Sequence, residues 1–167
     1  TEEQVFFRDT SKRFLERETP LTKVRELYES ADGFDRSWWR KVAELGWTSM
    51  FVPEEAGGGS ASGRPVSDAA IIAEEMGRLV APGPFLPVNV VADALSRGNE
   101  NQTHTDVLAG LASGALIATW AFCEQDGRWD GSTIATTVHR DGSEFVITGQ
   151  KRFVEAVAIS DYLLVTA

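Results

Sequence analysis

A single cysteine, Cys123, leaves no partner for an internal disulfide, and the two histidines, His104 and His139, lie in separate segments. A zinc or other transition-metal site therefore has too few ligands to assemble. A lone thiol suits a reducing compartment, which makes the cytoplasm the expected location. No run of about eighteen apolar residues occurs, so no segment is expected to span a membrane. The opening Thr1-Glu2-Glu3-Gln4 lacks the basic and apolar regions of a secretory signal. Cations are scarce and unclustered: 16 lysines and arginines stand against 25 acidic residues, a formal charge of −9. A nucleic-acid surface needs clustered cations to displace phosphate counterions, so nucleic acid is not an expected partner.

What is present is a globular composition. Of 167 residues 43% are hydrophobic, with five tryptophans and nine phenylalanines, enough for one good core or for a domain plus part of another. Thr1 and Gln4 form a capping-box pattern, and Val5, Phe6, Phe14 and Leu15 recur at helical spacing up to Glu18, before Pro20. Further helices are expected from Thr22 to Glu29, from Arg36 to Leu45 with Asp35 as cap, and from Val66 or Ser67 to Leu79. Two more are expected from Val88 to Arg97 and from Asp106 to Ala112. Gly57 to Gly63 reads as a flexible loop, without the Lys-Ser/Thr ending of a phosphate-binding loop.

From Ala115 the period changes. Ala115 to Phe122 reads as a buried strand. Ile134 to His139 and Glu144 to Ile147 flank R-D-G-S as a hairpin, and Tyr162 to Thr166 reads as one more strand. Helices followed by strands predict an α+β fold: an all-helical domain over 1–114, then an incomplete antiparallel β-barrel-like domain over 115–167. The apolar edge Y-L-L-V-T-A predicts that further strands cover it, as in a fragment of a longer protein.

Between the two parts lies A-F-C-E-Q-D-G-R-W-D, Ala121 to Asp130. Glu124, Asp126 and Asp130 are candidates for acid–base work, or the ordinary carboxylates of a surface turn on an acidic protein.

Five ordered blocks carry a family resemblance: T-E-E-Q…F-L-E-R-E, E-L-G-W-T-S-M-F-V-P-E-E-A-G-G-G, A-I-I-A-E-E-M-G-R, L-A-S-G-A-L-I-A-T-W-A-F-C-E and F-V-I-T-G-Q-K-R-F-V. The whole chain resembles the N-terminal part of an acyl-CoA dehydrogenase. The resemblance implies a helical domain, a β domain and a C-terminal four-helix domain, the last absent from this chain. It implies FAD as cofactor, an acyl-CoA as substrate, electron-transfer flavoprotein as acceptor, and a homologous subunit as partner. A carboxylate from the C-terminal helices removes the α-proton while the β-hydride passes to the flavin. No catalytic base is therefore expected here, and this chain by itself is expected to be inactive.

The resemblance also marks the site positions. Phe122, Cys123, Phe153 and Glu155 stand at cofactor-binding positions; Arg128, Trp129, Phe85, Leu86 and Asn89 stand at substrate positions. Ala121, Glu124, Gly127 and Asp130 match the family's frame. Phe122 replaces an aliphatic residue, Cys123 a hydroxyl residue, and Arg128 and Trp129 a glycine and a hydroxyl residue. Phe153 takes the place of a flavin-stacking tryptophan and Glu155 that of a threonine. Phe85, Leu86 and Asn89 fall where the acyl chamber is lined, or simply pack a kinked helix start. Pro84 and Pro87 remodel that chamber, which admits branched or polycyclic acyl groups such as a steroid side chain.

Two readings follow: a working dehydrogenase with altered cofactor geometry, or a degenerate subunit paired with a competent homologue, as in actinobacterial heteromeric members. The changes at these ligand-facing positions, taken together, favour the second. A helical interaction module without ligands and a flavin monooxygenase on the same fold are the competing classes.

Overall fold

The computed structural model describes residues 1–30, 33–98, 102–125 and 127–167. Six helices come first: α1 (Glu2–Glu18), α2 (Leu21–Glu29), α3 (Arg36–Glu44), α4 (Pro65–Leu79), α5 (Phe85–Arg97) and α6 (Thr105–Ala112). Four short strands follow: β1 (Ala118–Ala121), β2 (Thr137–Asp141), β3 (Glu144–Thr148) and β4 (Tyr162–Val165). The α+β layout is as expected, with no closed barrel among the described residues.

The caps are local chemistry. At the start of α1, Thr1 Oγ1 accepts from Gln4 N while the Gln4 side chain accepts from the Thr1 amine, a complete capping box. Asp35 accepts from the backbone N–H groups of Ser37 and Trp38 at the start of α3. Helix α5 begins at Phe85, three residues before the Val88 that sequence periodicity suggests. Pro84 sits at its N-cap and Pro87 in its first turn, where backbone N–H groups have no intrahelical acceptor. A proline there breaks nothing.

Around α3 the core is aromatic. Trp39, Trp47, Leu15, Ile72, Leu108, Leu111 and Ile117 are wholly buried. The Phe14 ring lies 6.3 Å from Trp38 and 5.8 Å from Trp47, and Trp47 Nε1 donates to Ser11 Oγ at 3.2 Å. Helix α1 packs on α4, and α5 packs on α6 and on β1. That last contact brings the first strand up against the helical part.

The glycine-rich loop is not slack. Asp68, fully buried on α4, accepts from Ser60 Oγ, from the backbone N–H and Oγ of Ser62, and from Gln4 Nε2. Burial pushes its carboxyl up, but the hydrogen bonds from Ser62, Gln4 and Ser60 outweigh it and hold the carboxyl below its ordinary range. One side chain thus ties loop, α1 and α4 together.

The antiparallel expectation holds for one pair. β2 and β3 form a hairpin in which Asp141 faces Glu144, so the turn is Gly142-Ser143, with Gly142 at φ 62°. β1 and β4 run parallel instead, Ala118 beside Tyr162 and Ala121 beside Val165. The segment between them is long enough for a crossover, which a parallel pair requires. Both hairpin strands are exposed throughout, including Phe145 and Ile147.

Arg36 on α3 clasps the two parts. Its guanidinium donates to both Asp161 carboxylate oxygens, at 3.1 and 3.0 Å, and to the Ile159 carbonyl at 2.8 Å. Asp161 also accepts from the Ile117 backbone N–H at 2.8 Å. The Arg36 hydrogen bonds are the main cause that holds the Asp161 carboxyl below its ordinary range.

Helix α4 ends badly. Its C-cap, Val80, adopts φ 53°, and its side chain is exposed. A β-branched residue in the left-handed region is strained, and glycine is the residue that fits there. Val80→Gly is expected to raise stability by about 1 kcal/mol, read as a higher denaturant midpoint in a urea titration at unchanged slope.

Candidate functional site

The segment that begins at Phe122 follows β1, the strand that packs against α5. Its first half is pinned by Glu124. This carboxylate accepts from the Ala135 and Thr136 backbone N–H groups at 2.8 and 2.9 Å, from Thr136 Oγ1, and from Lys151 Nζ at 2.9 Å. The Thr136 hydroxyl is the largest cause, with Lys151 next, and the carboxyl is held down at about 2. Glu124 is therefore an ionised clamp at neutral pH with its oxygens already occupied, unsuited to moving a proton there. Asp130 accepts from the Ser132 backbone N–H and caps the short 3₁₀ turn Gly131–Thr133. Of the carboxylate trio, Asp126 lies outside the described residues.

Lys151 and Thr136 are the residues that sequence reasoning passed over. Lys151 reaches Glu124 and the Phe122 carbonyl from the far side of the hairpin, with its side chain almost buried. A Cβ on Gly149 would collide with Thr136, so a glycine is needed beside this clamp. The only signal in the sequence was the Gly149-Gln150-Lys151 run inside a family block.

The four cofactor positions are brought close together. Arg152 N donates to the Cys123 carbonyl at 2.8 Å, and Thr119 Oγ1 donates to the Glu155 carbonyl at 2.6 Å. Between these ties Phe153 is held at φ 55°, its ring 78% exposed and lying over Gly127. Holding a non-glycine residue there costs about 1–2 kcal/mol. Cys123 is buried, and its Sγ is turned inward to the Arg128 carbonyl at 3.7 Å. Phe122 and Trp129 stack at 5.5 Å with 12° between their planes, and Trp120 meets both edges at 4.7 and 6.0 Å.

Trp129 remains 68% exposed, so its second ring face is bare. It borders a cavity of about 170 Å³ with Leu86, Thr119, Trp120, Phe153 and Glu155. Arg128 is exposed and does not line this cavity.

A second cleft, of about 350 Å³, opens between α4 and α5. Phe85, Leu86 and Asn89 line it with Phe51, Ala69 and Ala73. Phe85 and Asn89 are nearly buried, so they build the inner wall, whereas Leu86 is exposed and borders both cavities. Among the described residues no cluster of His, Cys, Asp or Glu can hold a metal, and no helix is long and apolar enough to cross a membrane.

Comparison with known proteins gives this arrangement its context. The family model for the acyl-CoA dehydrogenase N-terminal domain matches residues 1–115. The chain is 33% identical over 132 residues to acyl-CoA dehydrogenase FadE12 of Mycobacterium tuberculosis, covering 76% of this chain and 32% of that protein. It is also 33% identical over 123 residues to acyl-CoA dehydrogenase IpdE2 of Mycolicibacterium smegmatis, covering 73% of this chain and 37% of that one. Among solved structures, a variant of the Tcur3481–Tcur3483 steroid ACAD superposes with a TM-score of 0.86 at 28% identity, covering 99% of this chain and 45% of that chain. The ChsE4–ChsE5 complex of M. tuberculosis superposes at 0.84 with 25% identity, covering all of this chain and 44% of that one. The chain belongs to the acyl-CoA dehydrogenase family, and spans less than half the length of these relatives.

Acyl-CoA dehydrogenases depend on FAD, and a flavin site needs ring faces for stacking and hydrogen-bond donors for the ring heteroatoms. Phe153 and Trp129 offer ring faces for stacking. The side chains at 123 and 155 offer no donor: the Cys123 thiol is turned inward to the Arg128 carbonyl and Glu155 carries a carboxyl group. A carboxylate beside a flavin disfavours its electron-rich reduced form. The side chains at 123 and 155 thus give a flavin no hydrogen-bond donor, whereas Phe153 and Trp129 give it ring faces.

Proposed function

We propose that this chain is a subunit of an acyl-CoA dehydrogenase, with 1–114 as its helical domain and 115–167 as the first part of its β domain. It takes a CoA thioester whose acyl part enters the cleft between α4 and α5. The substrates belong to fatty-acid or steroid side-chain β-oxidation, and the electrons pass to an electron-transfer flavoprotein. The flavin surface of this chain is degenerate, and a homologous subunit supplies a competent one.

One observation carries the reading: Trp129 stacked on Phe122 over a loop whose only thiol points inward. On this reading the large indole stands at a position where close approach of the pantetheine chain calls for a small residue. The loop has little means to shift, because Glu124 and the Arg152 N–H pin its first part and Asp130 caps its end. The similarity to a steroid ACAD and to the ChsE4–ChsE5 complex supports both the substrate class and the pairing.

The test is purification of the full-length protein, first alone and then with its homologous subunit. Flavin per chain is read from the visible spectrum and dehydrogenation from an acceptor assay. Flavin and turnover are expected only in the pair. Stoichiometric flavin with turnover from the lone chain overturns the reading.

A further inference from the structure

We infer that the cavity bordered by Trp129, Phe153 and Glu155 takes an organic cation of the quaternary ammonium class, its methyl groups against the rings and its charge beside Glu155. This goes beyond the acyl-CoA reading above and does not depend on it.

The cavity holds about 170 Å³. An apolar cavity of roughly 150 Å³ takes up benzene, and a trimethylammonium group is of similar bulk. The walls are aromatic, from Trp120, Trp129 and Phe153, and aliphatic, from Leu86, Pro87 and Val90. Phe122 covers one face of Trp129 and does not line the cavity, so an occupant meets the uncovered part of the indole. Trp129 and Phe153 are both largely exposed, and their rings are open to such an occupant. An aromatic face carries negative potential and attracts a cation, the indole most strongly.

The polar groups at the cavity favour the same sign of charge. Thr119 Oγ1 and Trp120 Nε1 already donate, to the Glu155 carbonyl at 2.6 Å and to Thr166 Oγ1 at 2.8 Å. The Glu155 side chain is exposed, and among the described residues none pairs with it. Neighbouring cations do not answer it. Lys151 Nζ is held by Glu124 and by the Phe122 carbonyl, and neither Arg128 nor Arg152 lines the cavity. Accessible aromatic surface thus stands beside an acidic side chain that lacks a counter-ion.

The aliphatic wall decides the kind of cation. A primary ammonium brings three N–H donors, and the side chains of Leu86, Pro87 and Val90 accept none. A quaternary ammonium spreads its charge over methyl groups, which suit both the aliphatic and the aromatic walls.

The test uses the full-length protein labelled with 5-fluorotryptophan, alone and after assembly with its unlabelled homologous subunit. The fluorine signal of Trp129, assigned by its loss in Trp129→Phe, reports on this cavity and on no site of the partner. The probes are choline and 3,3-dimethylbutan-1-ol, which has the same shape without the charge. Choline is expected to shift the signal saturably in both samples, and to bind about tenfold more tightly than the alcohol. Glu155→Gln, at an exposed position, is expected to weaken choline about threefold and to leave the alcohol unchanged.

Equal affinity for choline and the alcohol overturns the inference, because the cavity then reads hydrocarbon alone. No shift with choline overturns it too, and so does a choline affinity unchanged in Glu155→Gln. A shift in the lone chain that vanishes on assembly means that the partner fills the cavity, which also overturns it. Should the lone chain fail to fold, the assembly decides. The acyl-CoA reading stands or falls separately, on flavin content and turnover.

Discussion

Replacing Asp68 by alanine is expected to destabilise the protein by about 3 kcal/mol, a mutational cost typical of breaking a buried hydrogen-bond network, and to lower its melting temperature by about 10 °C. The cause is arithmetic of donors. Four groups aim at this carboxylate: Gln4 Nε2, Ser60 Oγ, Ser62 N and Ser62 Oγ. Removing it takes the acceptor from all of them at once, at a position that is itself fully buried although the donors are half-buried. Asp68→Asn keeps a single oxygen and is expected to fall between the two. A thermal melt by circular dichroism separates the three proteins. Limited proteolysis should then cut first within Gly57–Gly63, the loop that loses its anchor. A melting point within a degree or two of the parent protein would show that the hub contributes nothing.

Acid is expected to unfold the protein progressively between about pH 4.5 and pH 2, with Glu124 as a principal sensor. Its ordinary value is 4.5 and its folded value about 2. A carboxyl depressed on folding adds stability above its unfolded pKa, and that stability drains away as pH falls toward the folded one. Asp161 and Asp68 are shifted in the same direction and steepen the loss over the acidic range. Glu124→Gln should flatten the curve across this interval, because glutamine has no proton to take up. At neutral pH the variant should already be weaker, since Lys151 loses its anionic partner in a nearly enclosed position. Urea midpoints measured from pH 7 to pH 2 give both curves. Parallel curves for variant and parent would dismiss Glu124 as the sensor.

How much of this was visible in the sequence depends on the range of each interaction. The Thr1 capping box and the Asp35 cap are complete within four residues, and both appear where the sequence pattern places them. The start of α5 lies three residues before the Val88 that periodicity suggests, because Pro87 stands in the first turn, where a missing N–H costs no helical bond. The glycine loop looked flexible because its anchor, Asp68, sits on the next helix and draws on Gln4 at the other end of the helical part. The clamp on Glu124 joins it to residues 11, 12 and 27 positions away, and no periodicity reports on that distance. The family blocks located the loop and its neighbours in chain order. They could not say that Cys123 faces inward or that Trp129 lies flat on Phe122. Such facts arise from packing between segments, which one sequence does not display.

The pairing of β1 with β4 has a kinetic consequence. Capped helices form from neighbours along the chain and need little search. The parallel pair must wait for Ile117 to find Asp161, 44 residues away, and for Arg36 to reach the same carboxylate across 125 residues. Contacts with such separations close late and set a slow last stage of folding. The Arg36–Asp161 clasp then acts on the exit route more than on the entry: its loss should speed unfolding while leaving the refolding rate nearly unchanged. It serves the protein as a latch on lifetime.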